Sequence, residues 1–249
     1  ISACLVGSEM CIRDRYGNVI QLGERDCTIQ RRMQKLVEEA PSPILTEEKR
    51  HEMGQASIRA AKAVNYENAG TIEYIYDLDT DEYYFMEMNT RIQVEHPVTE
   101  MVTGVDLVKL QLQVAMGEPL PFKQEDIKIN GHAMEFRINA ENPYKNFMPS
   151  PGKITQYLAP GGFGVRIESA CYTNYTIPPY YDSMVAKLIV HEPTREQTIM
   201  AGLRALSEFL VLGIDTTIPF HIRLLENDIF NSGQYSTKFL EQNNIMNED

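Results

Sequence analysis

Residues 70 to 89 alternate between two kinds of side chain around a short acidic turn, and this pattern constrains the fold most. A period of two residues is that of a β-strand, whereas a helix repeats every 3.6 residues. The stretch therefore predicts a β-hairpin. The apolar alternating positions are Ile72, Tyr74 and Tyr76 before the turn and Tyr84, Met86 and Met88 after it.

The register of this hairpin follows from keeping its apolar residues on one face, since a slip of one residue would mix the two faces. That register places Glu73 directly opposite Glu87, and Tyr74 opposite Met86. Two facing carboxylates repel each other unless a cation lies between them. The hairpin therefore predicts either a cation site or a solvated polar face.

The charge of the surrounding segment bears on that choice. Residues 64–89 contain seven acids and no Lys or Arg. Oxygen ligands at this spacing suit magnesium or manganese, and Asn89 could supply one more oxygen. A solvated polar face is the alternative for the hairpin considered alone.

Beyond the hairpin, an extended chain would place Asn89, Arg91, Gln93 and Glu95 on one side. Arg91 and Gln93 could then hold a small oxyanion, with Glu95 close enough to accept a proton. A charge-paired surface strand is the alternative interpretation of the same pattern.

The rest of the chain predicts a mixture of helices and strands. Capping residues and apolar spacing predict helices over 46–64, 104–116 and from Thr194 to a stop at Gly213. Strands are expected over 132–139 and 184–190.

Composition excludes several classes of partner. The 249 residues carry a net charge of −12, which disfavours nucleic acid and anionic membranes. The longest apolar run, 209–214, is far shorter than the roughly 18 residues that span a bilayer. Four scattered cysteines suit a reducing compartment. The start at Ile1, without Met, indicates a truncated product.

Residues 87–97, EMNTRIQVEHP, resemble the signature of the biotin carboxylases, the ATP-grasp enzymes of acetyl-CoA carboxylase and pyruvate carboxylase. The resemblance extends from Tyr16 to the C-terminus. Further matching segments are 24–35, 131–140, 150–153, 160–166 and 178–184.

The resemblance implies an α+β fold made of the C-terminal half of such an enzyme. Residues 16–128 would be the C-terminal part of an ATP-grasp domain, an antiparallel sheet with helices. Residues 129–249 would be the biotin carboxylase C-terminal α/β domain. Residues 1–15 do not look like the strand that the family has there, and 5–14 resemble a translated sequencing adapter, so we expect a foreign segment.

The activity implied by the resemblance is ATP-dependent carboxylation of biotin, with bicarbonate converted through carboxyphosphate. The expected cofactors are ATP, Mg²⁺ or Mn²⁺ and biotin as a carrier-bound substrate. Glu73 and Glu87 would hold the metal on the phosphates of ATP, with Asn89 beside them. Gln30 and Lys35 would lie near the nucleotide and bicarbonate.

The remaining implied roles concern bicarbonate and biotin. Arg91, Gln93 and the backbone of Val94 would bind bicarbonate, and Glu95 would deprotonate it. Arg137 would stabilise carboxyphosphate or the biotin enolate. Without the resemblance, Arg137 is an ordinary strand arginine.

Other residues near these positions have structural interpretations. Arg31, Arg32 and Lys35 could form a solvated basic face on a helix. His96 and His132 are expected to be hydrogen-bonded structural histidines, because no second His or Cys lies at ligand spacing.

The sequence departs from the family in two respects. Met33 occupies the place of a usual His, and methionine cannot replace that hydrogen-bond donor. The family's enzymes are also far longer, because they have an N-terminal domain and a lid that this chain lacks. We therefore expect the chain to be inactive alone.

The implied partners are a biotin carboxyl carrier protein and carboxyltransferase subunits, in the cytoplasm or the plastid stroma. A full-length enzyme would be a homodimer that uses Phe163 and Arg166. Two rival functions remain open: another ATP-grasp ligase acting on a carboxylate, and a non-catalytic remnant that only docks the carrier or dimerises.

Overall fold

The computed structural model describes residues 4–246, which divide into two compact units. The first unit contains residues 4–28 and 38–133, and the second contains residues 29–37 and 134–246. Each unit combines a sheet with helices, so the predicted α+β fold is confirmed. No helix in the described part of the chain is both long and apolar enough to cross a membrane.

The first unit is built on an antiparallel arrangement in the order β3-β2-β1-β4-β5. Its strands are β1 Cys4–Arg13, β2 Val19–Arg31, β3 Gln34–Ala40, β4 Asn68–Asp77 and β5 Glu82–Asn89. Its helices are α1 Glu47–Ala63, α2 His96–Thr103 and α3 Leu107–Ala115, with a 3-10 turn at Gln124–Asp126.

Local chemistry explains the limits of α1. The hydroxyl of Thr46 accepts a hydrogen bond from the backbone N–H of Lys49, and Glu47 and Glu48 occupy the first turn. An N-cap hydroxyl satisfies a free N–H group, and acids there complement the helix dipole. The helix buries Met53 beside Tyr74 of β4 in one apolar cluster. The predicted helix is confirmed.

Strand β1 lies at the centre of this sheet, between β2 and β4. Residues 1–15 do not look like the strand that the family has there, yet Cys4–Arg13 form a strand whose Met10 and Ile12 supply fully buried apolar side chains to the core. The foreign origin of residues 1–15 stays a prediction. Residues 1–3 of that segment lie outside the described residues.

The hairpin of β4 and β5 has the predicted register near its open end, where Ile72 faces Met88 and Glu73 faces Glu87. The predicted pairing of Tyr74 with Met86 is wrong, because Tyr74 faces Phe85. A β-bulge adds one unpaired residue to the edge strand at this point and shifts the register beyond it.

The second unit contains a sheet in the order β11-β13-β6 and three short strand pairs. Its strands are β6 His132–Asn139, β7 Glu141–Asn142, β8 Met148–Pro149, β9 Gly152–Lys153, β10 Gln156–Leu158, β11 Val165–Glu168, β12 Thr176–Ile177, β13 Met184–Glu192 and β14 Leu210–Leu212. Its helices are α4 Arg195–Glu208, α5 Ile218–Leu225, α6 Asp228–Ser232 and α7 Phe239–Gln242, with a 3-10 turn at Pro143–Lys145.

Helix α4 begins as predicted, because the hydroxyl of Thr194 accepts from the backbone N–H of Gln197. The expected stop at Gly213 is wrong, since the helix ends at Glu208 and residues 210–212 form β14. The core of this unit packs Phe136, Phe220 and Phe230 together.

The domain limits of 16–128 and 129–249 stay predictions. The compact units change at residue 133, and residues 29–37 belong to the C-terminal unit. Residues 247–249 of the second predicted domain lie outside the described residues.

Candidate active site

Four neighbouring strands of the first unit place polar residues in one row across the sheet. Ser8 of β1 is paired with Arg25 of β2 on one side and with Glu73 of β4 on the other. Glu73 is paired in turn with Glu87 of β5. Directly paired residues point to the same face of a sheet. We call the face that carries Arg25, Ser8, Glu73 and Glu87 the site face.

The two carboxylates of the predicted cation site face each other as expected. Glu73 is buried, with 5% of its surface exposed, whereas Glu87 is exposed. Asn89, which is paired with Thr71, donates from Nδ2 to Oε1 of Glu87 at 3.1 Å. These residues offer only oxygen ligands, which hard divalent cations prefer. The residues present therefore fit Mg²⁺ or Mn²⁺.

A chain of hydrogen bonds leads from Glu73 into the sheet. Nε2 of Gln93 donates to Oε1 of Glu73 at 2.6 Å. Oε1 of Gln93 accepts from Nη2 of Arg25 at 3.0 Å. Arg25 is completely buried. The candidate metal ligand Glu73 is thus bonded directly to the candidate bicarbonate ligand Gln93, which is bonded in turn to the guanidinium of Arg25.

The segment after β5 does not continue as the extended row that the sequence analysis predicts. The strand ends at Asn89, the chain bends at residues 90 and 91, and α2 begins at His96. Arg91 is exposed and Gln93 is buried, although an extended chain would place them on one side. Nη1 of Arg91 donates to the carbonyl of Ile92 at 3.1 Å.

Glu95 lies at the N-terminus of α2 and is almost fully buried. The thiol of Cys27, from β2, is 3.8 Å from Oε1 of Glu95 and 3.6 Å from the hydroxyl of Ser8. A helix N-terminus favours a negative charge. Val94, in the turn before α2, is half-buried.

The two histidines have structural partners, as predicted. Nδ1 of His96 is 2.9 Å from the carbonyl of Gln93, and Nε2 of His132 is 2.7 Å from Oε2 of Glu39. The first contact holds the turn at residues 93–96 against the start of α2.

Arg25 and Cys27 are two site residues that the sequence analysis does not identify. Both lie on the site face, whereas Glu24 and Asp26 alternate with them on the other face of β2. The available signal is the period of two within residues 24–28. Because charged residues occupy both faces, hydropathy alone does not assign the faces.

In the second unit, Gln30 and Lys35 lie on either side of the turn between β2 and β3, and both are half-buried. Arg32 and Met33 form this turn with φ angles of 48° and 66°. The alternative of a helix carrying a basic face is wrong here, because residues 31–35 form a hairpin end. Such φ values are uncommon for residues other than glycine and asparagine.

This turn is anchored through Arg31. Its Nη2 donates to the backbone carbonyl of Asn146 at 3.0 Å and to the side-chain oxygen at 2.7 Å. The guanidinium also lies 4.7 Å from the centre of the Phe147 ring. A bidentate bond and a cation–π contact hold the turn that carries Gln30 and Lys35 in place.

Arg137 lies on β6 of the second unit, and its side chain is half-buried. Its backbone carbonyl accepts from Oγ1 of Thr217 and from Nε2 of His221, both at 2.9 Å. Burial lowers the pKa of His221 to about 4, which the bond to the Arg137 carbonyl opposes. A neutral His221 therefore fixes the backbone from which Arg137 projects.

Two family models match the chain in succession. Residues 8–123 match the ATP-binding domain of the carbamoyl-phosphate synthase L chain, and residues 135–242 match the biotin carboxylase C-terminal domain. The chain belongs to the biotin carboxylase family. It is 63% identical over 235 residues to biotin carboxylase 1 of Bacillus subtilis, covering 94% of this chain and 52% of that relative.

A second relative is the biotin carboxylase of Nostoc sp., with 57% identity over 233 residues, 94% of this chain and 52% of the relative. The chain spans about half the length of the curated relatives it matches.

Solved structures of the family agree with the fold. The biotin carboxylase domain dimer of Hydrogenobacter thermophilus 2-oxoglutarate carboxylase, solved with MgADP and bicarbonate, has a TM-score of 0.97 at 49% identity. The alignment covers 100% of this chain and 55% of that one. Pyruvate carboxylase of Rhizobium etli has a TM-score of 0.97 at 39% identity, covering 100% of this chain and 25% of that one.

Proposed function

We propose that this chain carries part of the site of an ATP-dependent biotin carboxylase. The observation that carries the proposal is the pair of facing carboxylates, Glu73 and Glu87, joined through Gln93 to the buried Arg25. This arrangement combines oxygen ligands for a cation with hydrogen-bond donors for an anion. A reaction between a metal-bound nucleotide and bicarbonate needs both.

The nucleotide side of the proposed site uses Glu73, Glu87 and Asn89 as ligands of a divalent cation, with Gln30 and Lys35 near the nucleotide. The cation, when bound, would neutralise charge on the phosphate oxygens of ATP. Phosphoryl transfer depends mainly on positioning and charge neutralisation, so a buried carboxylate such as Glu73, held by a hydrogen bond, is a suitable ligand.

The bicarbonate side uses Arg91, Gln93 and the backbone of Val94 to bind the anion. Glu95 accepts the proton of bicarbonate as its oxygen attacks the γ-phosphorus of ATP and ADP leaves. The product, carboxyphosphate, breaks into carbon dioxide and phosphate. The phosphate accepts the proton of a ureido nitrogen of biotin, and that nitrogen bonds to the carbon dioxide. Arg137 stabilises carboxyphosphate or the biotin enolate, because a guanidinium matches a planar oxyanion.

The half-length alignment supports the further proposal that the chain is inactive alone. The relatives carry additional chain, and the proposed complete enzyme would work on a biotin carboxyl carrier protein together with carboxyltransferase subunits. We propose acetyl-CoA carboxylase as its context and homodimerisation through Phe163 and Arg166. The bacterial and chloroplastic relatives support a location in the cytoplasm or the plastid stroma.

The test joins this whole chain to the part of the Bacillus subtilis relative that precedes the aligned region and measures biotin-dependent ATP hydrolysis with bicarbonate and magnesium. We expect activity in the joined enzyme and none in the chain alone. Glu95→Gln should lower kcat by at least about 100-fold if Glu95 is the base.

The matched control is Glu67→Gln, since Glu67 is a half-exposed acid paired with Arg15. It should leave kcat unchanged. A folded joined enzyme without activity would favour the non-catalytic alternative. Activity that does not depend on biotin would favour another ATP-grasp ligase.

A further inference from the structure

Arg25 is a completely buried arginine whose hydrogen-bond partners are all neutral. Its Nη2 donates to Oε1 of Gln93 at 3.0 Å and to Oγ1 of Thr71 at 3.2 Å, and its Nη1 donates to Oγ1 of Thr99 at 3.2 Å. Within the described residues, Nε of Arg25 makes no hydrogen bond. None of these partners is a carboxylate.

This arrangement is costly in folding free energy. Buried charges are normally paired with an opposite charge, because desolvating a guanidinium costs several kcal/mol. Here the hydrogen bonds come from hydroxyl and amide oxygens alone, and the carboxylate of Glu9 interacts with Arg25 only through its charge. A cost of this kind suggests that the guanidinium has a use other than stability.

The contacts of Gln93 fix which way its amide group faces. Arg25 has only donors, so the oxygen of Gln93 must face it. The carboxylate of Glu73, when ionised, has only acceptors, so the NH₂ group of Gln93 must face Glu73. A flipped amide would set donor against donor and acceptor against acceptor. The donor and acceptor groups around Gln93 therefore determine which atom of its amide is the oxygen and which is the nitrogen.

One amide hydrogen of Gln93 remains after this assignment. The NH₂ group has two hydrogens, and one is given to Oε1 of Glu73 at 2.6 Å. The second has no partner among residues 4–246, although Gln93 is only 7% exposed. A donor without a partner at a buried residue is unfavourable, and a bound acceptor would satisfy it.

We propose that Arg25 is a positioning residue that holds Gln93 with its NH₂ group, and not its oxygen, available to an anion. The identity of the anion as bicarbonate rests on the proposed function. Without Arg25 only the bond to Glu73 would hold the amide in this orientation, and the NH₂ group would be held less firmly. Arg25 thus supports the preference of this position for an anion through Gln93.

The first test follows the side-chain NH₂ signals of Gln93 by nuclear magnetic resonance in the intact chain, assigned by their loss in Gln93→Met. We expect two separate signals whose hydrogens exchange slowly with solvent. Arg25→Met should speed this exchange by at least about 10-fold, while backbone amides in α1 keep their protection. Equal exchange in both proteins would overturn the proposal.

The control is Thr99→Val, which removes another hydrogen bond of Arg25 without touching Gln93. It should leave the exchange of the Gln93 amide within about 3-fold of the original. If Arg25→Met does not fold, the exchange of the Gln93 amide in the unmodified chain still tests the proposal. Fast exchange or averaged NH₂ signals there would overturn the proposal.

The second test titrates the chain with sodium bicarbonate, with sodium chloride as the reference salt. We expect one of the two Gln93 signals to shift with bicarbonate and neither to shift with chloride. If the Gln93 amide exchanges slowly but its signals do not shift with bicarbonate, the positioning role is supported and the assignment of the anion is overturned. This separates a failure of the inference from a failure of the proposed function.

Discussion

The two faces of the sheet in the first unit differ in which groups surround their buried charges. On the site face, Arg25 is surrounded by neutral acceptors. On the other face, four buried acids lie on adjacent strands, where Arg50 forms an ion pair with Glu24 and His132 lies within hydrogen-bond distance of Glu39. These acids are Glu9, Glu24, Asp26 and Glu39.

The two faces therefore carry buried charges with different consequences: Arg25 is suited to binding, whereas the buried acids lower the stability. A guanidinium that is hydrogen-bonded only to neutral groups attracts anions, so the site face is suited to bicarbonate and phosphate groups. The crowded acids of the other face repel one another, and burial together with this repulsion raises the pKa of Asp26 to about 6 and that of Glu9 well above its usual range. The second face therefore makes stability depend on pH.

Removing Arg50 should have the largest effect on stability. Its Nε lies 2.8 Å and 2.9 Å from the two carboxylate oxygens of Glu24, which is 2% exposed. Arg50→Ala leaves a buried carboxylate without its cation, which typically costs about 3–5 kcal/mol. Urea unfolding at pH 7 measures the change in the free energy of unfolding.

The matched control is Arg15→Ala, since Arg15 forms a half-exposed ion pair with Glu67 at 3.3 Å. Exposed pairs contribute about 0–1 kcal/mol. Equal losses in the two variants would contradict the view that burial makes the Arg50–Glu24 pair important.

The pH dependence of stability should be the next largest effect, and Asp26 contributes to it together with Glu9. Because the pKa of Asp26 is about 6 in the folded chain and 3.8 in the unfolded chain, the unfolded chain loses its proton first as the pH rises. The contribution of Asp26 to stability is then highest below pH 4 and falls between about pH 4 and pH 6, by roughly 3 kcal/mol.

Asp26→Asn should flatten this fall, as measured by urea unfolding at pH 4, 5, 6 and 7. The exposed acid Glu118 supplies the control, because Glu118→Gln should leave the slope unchanged. If the slope persists in Asp26→Asn, another group in the acidic cluster is responsible.

Glu9 should give a smaller but opposite change, a gain in stability. Both of its carboxylate oxygens are buried without a hydrogen-bond partner among the described residues, and Glu24 faces it across β1 and β2. Glu9→Leu should therefore raise the free energy of unfolding by about 2 kcal/mol at pH 7.

The gain should shrink as the pH falls below about 4.5, where the unfolded chain also carries a protonated Glu9. Thermal unfolding at both pH values measures it. Glu9→Gln, which keeps an unpartnered polar group, should gain less than Glu9→Leu. A loss of stability in Glu9→Leu would show that the attraction of the carboxylate to Arg25 and Arg50 outweighs the cost of burying it.

The sequence predicts the facing pair of Glu73 and Glu87 because alternation specifies which face each residue occupies. It does not predict the bulge beyond that pair, since Tyr84, Phe85 and Met86 are all large, apolar and exposed on an edge strand. Either register suits such residues equally well.

The sequence also does not predict the role of Arg25, for a different reason. Acids and a base alternate along residues 24–26, so the pattern shows two faces without showing which one is buried, and both are. Gln93 is buried because the chain bends after Asn89. Its amide then accepts a hydrogen bond from Arg25, which is distant in the sequence. Roles for Gln30, Lys35 and Arg137 stay predictions that rest on the resemblance.

The smallest expected effect returns to the site face and tests whether its neutral donors matter for stability. The thiol of Cys27 lies 3.8 Å from Glu95 and 3.6 Å from the hydroxyl of Ser8, and thiols form weak hydrogen bonds. Cys27→Ala should cost only about 1 kcal/mol in the free energy of unfolding, mainly from lost packing.

Cys27→Ser keeps a donor of similar size and is the matched variant. If packing dominates, the serine variant should be no more stable than the alanine variant, because it buries a hydroxyl in place of a sulfur. A loss above about 3 kcal/mol in Cys27→Ala, restored in Cys27→Ser, would mean that the contact with Glu95 behaves like a charge-assisted bond. The two faces would then differ less in their dependence on charge than Arg25 and Arg50 indicate.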